Sequence, residues 1–178
     1  MIESVFLKEA AGELRRYKDM ADKALAQVKD EDFFRQIDPE SNSIAVIVKH
    51  LAGNMRSRWT DFLTTDGEKP DRDRDGEFVM EETDERRTLE SGWNEGWKLT
   101  FTALESLTPA DLVKEVRVRG EAQTVVRAIT RHISHLTYHV GQIALLAKHF
   151  SGAHWQTLTV PRNKARLSTK KSGPPGTA

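Results

Sequence analysis

Four of the chain's six histidines, His132, His135, His139 and His149, fall within one stretch free of proline between positions 124 and 150. His135 and His139 are four residues apart. In a helix that spacing stacks two imidazoles on one face, where both can reach a single cation. At about 100° per residue, with His139 at zero, His135 lies near −40°, His132 near +20°, Ile143 near +40° and Leu146 near −20°. These side chains share one inward stripe. A single inward histidine is most often a hydrogen-bonded core residue, but three on one stripe point towards metal ligation. His132 stands two turns, roughly 10 Å, from His139, so it reads as an outer neighbour of the site or as a core residue. Two ligands do not hold an ion tightly, and helical proteins usually complete such a site from a facing helix. His50 is the histidine on a second helical segment. Its wheel places it roughly 120° from the centre of that segment's apolar face, an edge position that suits a cavity wall and equally suits a plain boundary residue. Gly53 and Ser57 leave room beside it. Asn54, one turn on, either orients a bound water or ligand or is an ordinary polar residue of the helix face.

The elements that must position these groups follow from apolar periodicity. Leu7, Ala10, Leu14, Tyr17, Ala21, Leu25 and Val28 recur in steps of three and four and predict helix one over residues 4–29. A turn cluster with good capping residues at 38–43 precedes helix two over 44–63, whose apolar side is Ile44, Ile47, Val48, Leu51, Met55, Trp59 and Phe62. The phrase TTDGEKPDRDRDGEF then has no apolar period and reads as a long crossover loop facing water, with a charged binding loop as the alternative. Helix three begins near residue 83 or 84 and runs through Leu89, Trp93, Trp97, Thr100, Leu104 and Leu107, while Gly92 and Gly96 would admit a close approach by another helix or a ligand. Trp59, Trp93 and Trp97 read as core or pocket wall. Thr108-Pro109 opens a short turn through Leu112, VKEVRVRGEAQTV reads as a small hairpin, and helix four occupies 124–150. No internal repeat is present. The expectation is an all-α four-helix bundle over 1–162, followed by a basic tail at 163–178 that is disordered beyond Leu167.

Composition narrows the partners. Lys and Arg number 27 and so do Asp and Glu, which gives no charge excess to draw the chain to nucleic acid or to an anionic membrane. There is no cysteine, so disulfides are excluded and any thiol chemistry needs a thiol from a substrate. The N-terminal stretch has no unbroken apolar run, so neither a signal peptide nor a membrane span is expected, which fits the cytoplasm. A small-molecule partner is expected, and the long amphipathic helices suggest a homodimer.

Two segments carry a family resemblance. HLTYHVGQI at 135–143 resembles the last-helix pattern of the DinB-like superfamily, two histidines four apart followed by Gly-Gln. KHLAGNMRSRWTDFL at 49–63 resembles that superfamily's second-helix segment, which holds the first ligand. HWQTLTVP and RGEAQTV are similar to a subfamily of uncharacterised members, so the likeness extends over about residues 1–162. The resemblance implies a metal-binding four-helix bundle in which His50, His135 and His139 ligate one divalent ion, with Asn54 and His132 as candidates behind them. Zinc or nickel suits these ligands, as do iron and copper. Val140 stands where many relatives carry Arg after the last histidine, so an anion contact from that position is missing here. Characterised relatives include S-transferases and an isomerase that use low-molecular-weight thiols, and many others have no assigned activity. The expected function is metal-dependent transfer of a thiol cosubstrate to a small electrophile. Its rivals are a metal-dependent hydrolase, for which spacing places neither Glu90 nor Glu95 near the ion, and a non-catalytic, metal-stabilised interaction module.

Overall fold

A computed structural model describes residues 2–161. The boundary at 162 and the disorder expected of the tail lie outside these described residues. The described chain is mostly helical, with five α-helices and one two-stranded hairpin. Helix α1 spans Ile2–Leu25, α2 Asp30–Phe33, α3 Ile44–Trp59, α4 Arg86–Ser106 and α5 Val125–Ser151. Strands β1 (Glu115–Val118) and β2 (Glu121–Thr124) pair antiparallel just before α5.

The four long helices pack α3 on α4 and α1 on α5, and contacts between α3 and α5 and between α1 and α4 close them around one core. Leu14, Ile44, Ile47, Leu51, Met55, Trp93, Trp97, Ile129, Leu136 and Ile143 are fully buried there. Burying each such side chain stabilises the fold by about 1.5–3 kcal/mol relative to leaving it in water. Gly96 permits the α3–α4 contact: a Cβ there would lie 3.0 Å from Met55 and 3.4 Å from the Ala52 carbonyl.

Several boundaries differ from those expected, for local reasons. α1 ends at Leu25 because Arg86 reaches across from α4 and donates to the Leu25 and Val28 carbonyls, capping the end from outside. The short α2 carries no long periodicity, and its burial of Phe33 against the core is a tertiary effect. α3 begins under its Ser43 cap, whose hydroxyl accepts from Val46 N at 3.2 Å. It stops at Trp59, not at 63, because Asp61 turns into the left-handed region at φ 48°. Phe62 nonetheless stays buried with its ring 4.6 Å from that of Trp59. Thr124 caps α5 by accepting from Arg127 N.

The hairpin turns through Arg119 and Gly120, both at positive φ (58° and 75°), the geometry of a tight two-residue turn. A non-glycine residue there is strained unless something holds it. Asp66 does so from the crossover segment, its carboxylate accepting from Arg119 N at 2.8 Å and Gly120 N at 2.7 Å. That segment is therefore only in part the water-facing loop expected: Asp71, Asp73, Arg74 and Asp75 are exposed, but others of its residues hold it to the fold. Ser57 on α3 anchors it through Gly67 and Lys69, and Arg72 and Glu77 from its charge run are buried. No described helix is long and apolar enough to cross a membrane.

Candidate metal centre

His50, one and a half turns into α3, and His135 and His139 on α5 come together where the two helices face each other. One ring nitrogen from each lies within 4.8 Å of the other two. His50 Nε2 stands 3.1 Å from His135 Nε2. Two ligands of a tetrahedral ion at bond lengths of about 2.0–2.1 Å would be about 3.3 Å apart, so the pair is already close to ligand spacing. The His50 ring is 5.1 Å from that of His139, centre to centre.

The other ring nitrogens decide which lone pairs are free. His50 Nδ1 donates to Glu77 Oε2 at 2.8 Å, which leaves its Nε2 lone pair towards the other histidines. His139 Nδ1 donates to Gln142 Oε1 at 2.7 Å, leaving its Nε2 likewise. Glu77 in turn receives both Nε and Nη2 of Arg72, each at 2.7 Å, and Arg72 Nη1 reaches Glu68 at 2.9 Å. Although burial acts to raise the Glu77 carboxyl, its hydrogen bonds from Arg72 and His50 hold it below the ordinary carboxylate range. It is ionised and committed. The chain Arg72–Glu77–His50 is the carboxylate–histidine arrangement that orients metal-binding imidazoles. Gly53 makes room for it, since a Cβ there would collide with the Glu77 carboxylate.

On the α5 side the site favours neutral rings, which is the form that ligates. Burial pushes His135 down to about 3, helped by the fields of His139, His50, Arg58 and Arg72. Burial also lowers His139, against the opposing bond to Gln142. The donor set therefore fits a divalent ion: the buried triad could hold one.

Sequence reasoning placed His135 and His139 on one inward face, and both lie there. His50, expected at an edge, is only 4% exposed because Glu77 and Phe78 of the crossover segment cover it, the Phe78 ring 4.7 Å away. His132 is fully buried, and its Nε2 accepts from Trp59 Nε1 at 3.0 Å. Among the described residues neither His132 nor Asn54 hydrogen-bonds a member of the triad, and both line a neighbouring cavity. The groups that support the rings are Glu77 and Gln142, which spacing did not single out. Gln142 lies three residues after His139, a spacing that could have revealed it. Nothing local marked Glu77 among the charges around it.

Linkage gives an expected pH dependence for metal-free protein. A histidine whose folded pKa is depressed leaves the unfolded chain binding more protons below pH 6.5, so stability falls as pH falls through that value. For His135 alone the loss between pH 7 and pH 5 is at most about 2 kcal/mol, reduced by solvent screening of its partly exposed ring, and buried His132 and His139 act in the same direction. Most carboxylates stay ionised in this range. Chelator-treated protein should lose at least several degrees of melting temperature between pH 7 and pH 5, measured by circular dichroism. A flat profile would show that these rings are not held neutral.

No curated protein and no solved structure matches the chain. A family model described as "Protein of unknown function (DUF1572)" matches residues 2–164. That match covers most of the chain and contains all three histidines, and the protein accordingly belongs to the DUF1572 family, a DinB-like family.

Proposed function

We propose that this protein is a metal-dependent transferase of the DinB-like four-helix-bundle type, which joins a low-molecular-weight thiol to a small electrophile, with His50, His135 and His139 holding one divalent ion, zinc or nickel. The observation that carries this reading is the convergence of three ring nitrogens within 4.8 Å, two of them with their second nitrogen already bonded. An ion held by three neutral ligands would keep its full charge and an open position, and would supply Lewis acidity that lowers the pKa of a thiol. The chain has no cysteine, so that thiol would come from a cosubstrate.

The protein's own groups have orienting roles. Glu77 fixes the tautomer and angle of His50, and Arg72 fixes Glu77. Gln142 does the same for His139. The cavity walled by His50 and His135 gives the electrophile a place beside the ring nitrogens. Hydrolysis is less well supported, because a hydrolase needs a free carboxylate base and Glu77 is occupied by Arg72 and His50.

Element-specific metal analysis of unsupplemented protein tests the site, and a panel of thiols and electrophiles in the presence of zinc or nickel tests the reaction. The expected result is metal in the native protein and electrophile consumption that requires both metal and thiol. Ester or amide cleavage without thiol would replace the transferase reading with hydrolysis, and metal without turnover would leave an interaction module.

A further inference from the structure

A cavity of about 270 Å³ lies against His50 and His135, and its walls carry far more positive charge than the balanced chain as a whole. Arg58 from α3, Arg74 from the crossover segment, Arg119 from the hairpin turn and Arg131 from α5 line it, and Glu121 is the carboxylate among its lining residues. The volume falls just below the range of about 300–1,000 Å³ typical of drug-sized sites.

Arg58 differs from the other buried guanidinium of this region in having no carboxylate partner among the described residues. Buried Arg72 has two carboxylates, Glu77 and Glu68. Arg58 is only 9% exposed, and among the described residues it has no ion pair, while its buried Nε has no hydrogen-bond partner. Arg74 and Arg131 likewise have no carboxylate partner among the described residues. Arg131 donates to the Gln123 side chain, and Arg119 has Glu68 at 3.7 Å, an acceptor already engaged by Arg72. Burial and the neighbouring charges of Arg131 and Arg72, only partly offset by Glu68, push Arg58 down to about 10, so it remains charged near neutral pH with no carboxylate bonded to it among the described residues. A buried charge without a counter-charge is costly and is normally paired.

Two neutral groups in the same walls are also unsatisfied. His132 accepts from Trp59 on Nε2, so its Nδ1 carries the proton, and that buried donor has no acceptor. Asn54 is 7% exposed, with Oδ1 unpartnered. An oxyanion in the cavity would meet the guanidinium groups of Arg58 and Arg131 that line it, while Arg58 Nε, His132 Nδ1 and Asn54 Oδ1 lie behind that wall, closed to solvent.

We propose that this cavity is an oxyanion subsite that takes a small organic acid, one carboxylate held by Arg58 with Arg131, so that the rest of the molecule lies against His50 and His135. As a description of the substrate this rests on the transferase reading and makes the electrophile an acid. As a binding site it needs neither metal nor turnover. Small dicarboxylic acids fit both the volume and the charge.

The test is calorimetric titration of chelator-treated full-length protein with malonate, succinate and inorganic phosphate at constant ionic strength, with succinamide as the neutral control. The expected result is saturable binding of the dicarboxylates, none of succinamide, and roughly tenfold weaker binding in Arg131→Gln and in Arg58→Gln, the loss expected for one charge-assisted hydrogen bond. Arg131 is exposed, so its variant should fold even if the Arg58 variant does not, and circular dichroism checks both. Equal binding by wild type and Arg131→Gln, equal binding of succinamide, or no binding by wild type would each overturn the subsite. Preference for phosphate over every dicarboxylate would overturn the carboxylic-acid assignment. Anion binding by a protein that takes up no metal would sink the metal reading and leave the subsite standing.

Discussion

His135→Ala should lower affinity for zinc or nickel by more than 100-fold while leaving the metal-free protein about as stable as wild type. The first part follows from geometry. His135 Nε2 is 3.1 Å from His50 Nε2 and lies between the two helices, so its removal leaves two ligands on different helices and no i, i+4 pair. Loss of supporting groups alone typically costs 10–100-fold, and loss of a ligand should cost more. The second part follows from the energetics of the ring. His135 is partly exposed and among the described residues its only polar partner is His50, so the metal-free fold of these residues does not depend on it. Competition with a chromophoric chelator reads the affinity, and a melt of chelator-treated protein reads the stability. A variant that keeps metal at wild-type affinity would remove the triad from consideration.

Glu77→Ala should behave differently, costing both stability and metal. Glu77 is 6% exposed and satisfies His50 and two nitrogens of Arg72, whose own side chain is 4% exposed. Removing the carboxylate leaves Arg72 buried with Glu68 alone, and breaking a buried pair by deleting one partner costs about 3–5 kcal/mol. His50 also loses the acceptor that fixes its tautomer, which should weaken metal binding by about 10–100-fold. Denaturant unfolding and chelator competition measure the two losses separately. Loss of stability without loss of affinity would make Glu77 a structural anchor of the crossover segment and not a support of the site. The contrast with His135→Ala separates a ligand, which the metal-free fold does not need, from a group that both fold and site need.

The half of the centre on α5 was legible because everything it needs is local. His135 and His139 at i, i+4 within an apolar stripe specify a shared inward face whatever packs against it. The capping role of the turn cluster that ends at Ser43 was legible for the same reason. The cavity's arginines left a weaker trace: His50, Asn54 and Arg58 recur every four residues on α3, as do Arg131 and His135 on α5, so two polar seams could have been matched. Arg119 carried no such trace, because it reaches the cavity only through a turn that Asp66 holds in the left-handed region.

Amino-acid order alone determined the four long helices, their inward faces and the i, i+4 histidine pair, because helical periodicity is a property of neighbours within one segment. The tertiary structure decided three things: that His50 is buried, that Glu77 and Arg72 turn inward from a charge run indistinguishable along its length, and that four arginines gather beside the triad. Each depends on which segments pack together, and on the cost of burying charge, which is set by the partners that packing supplies.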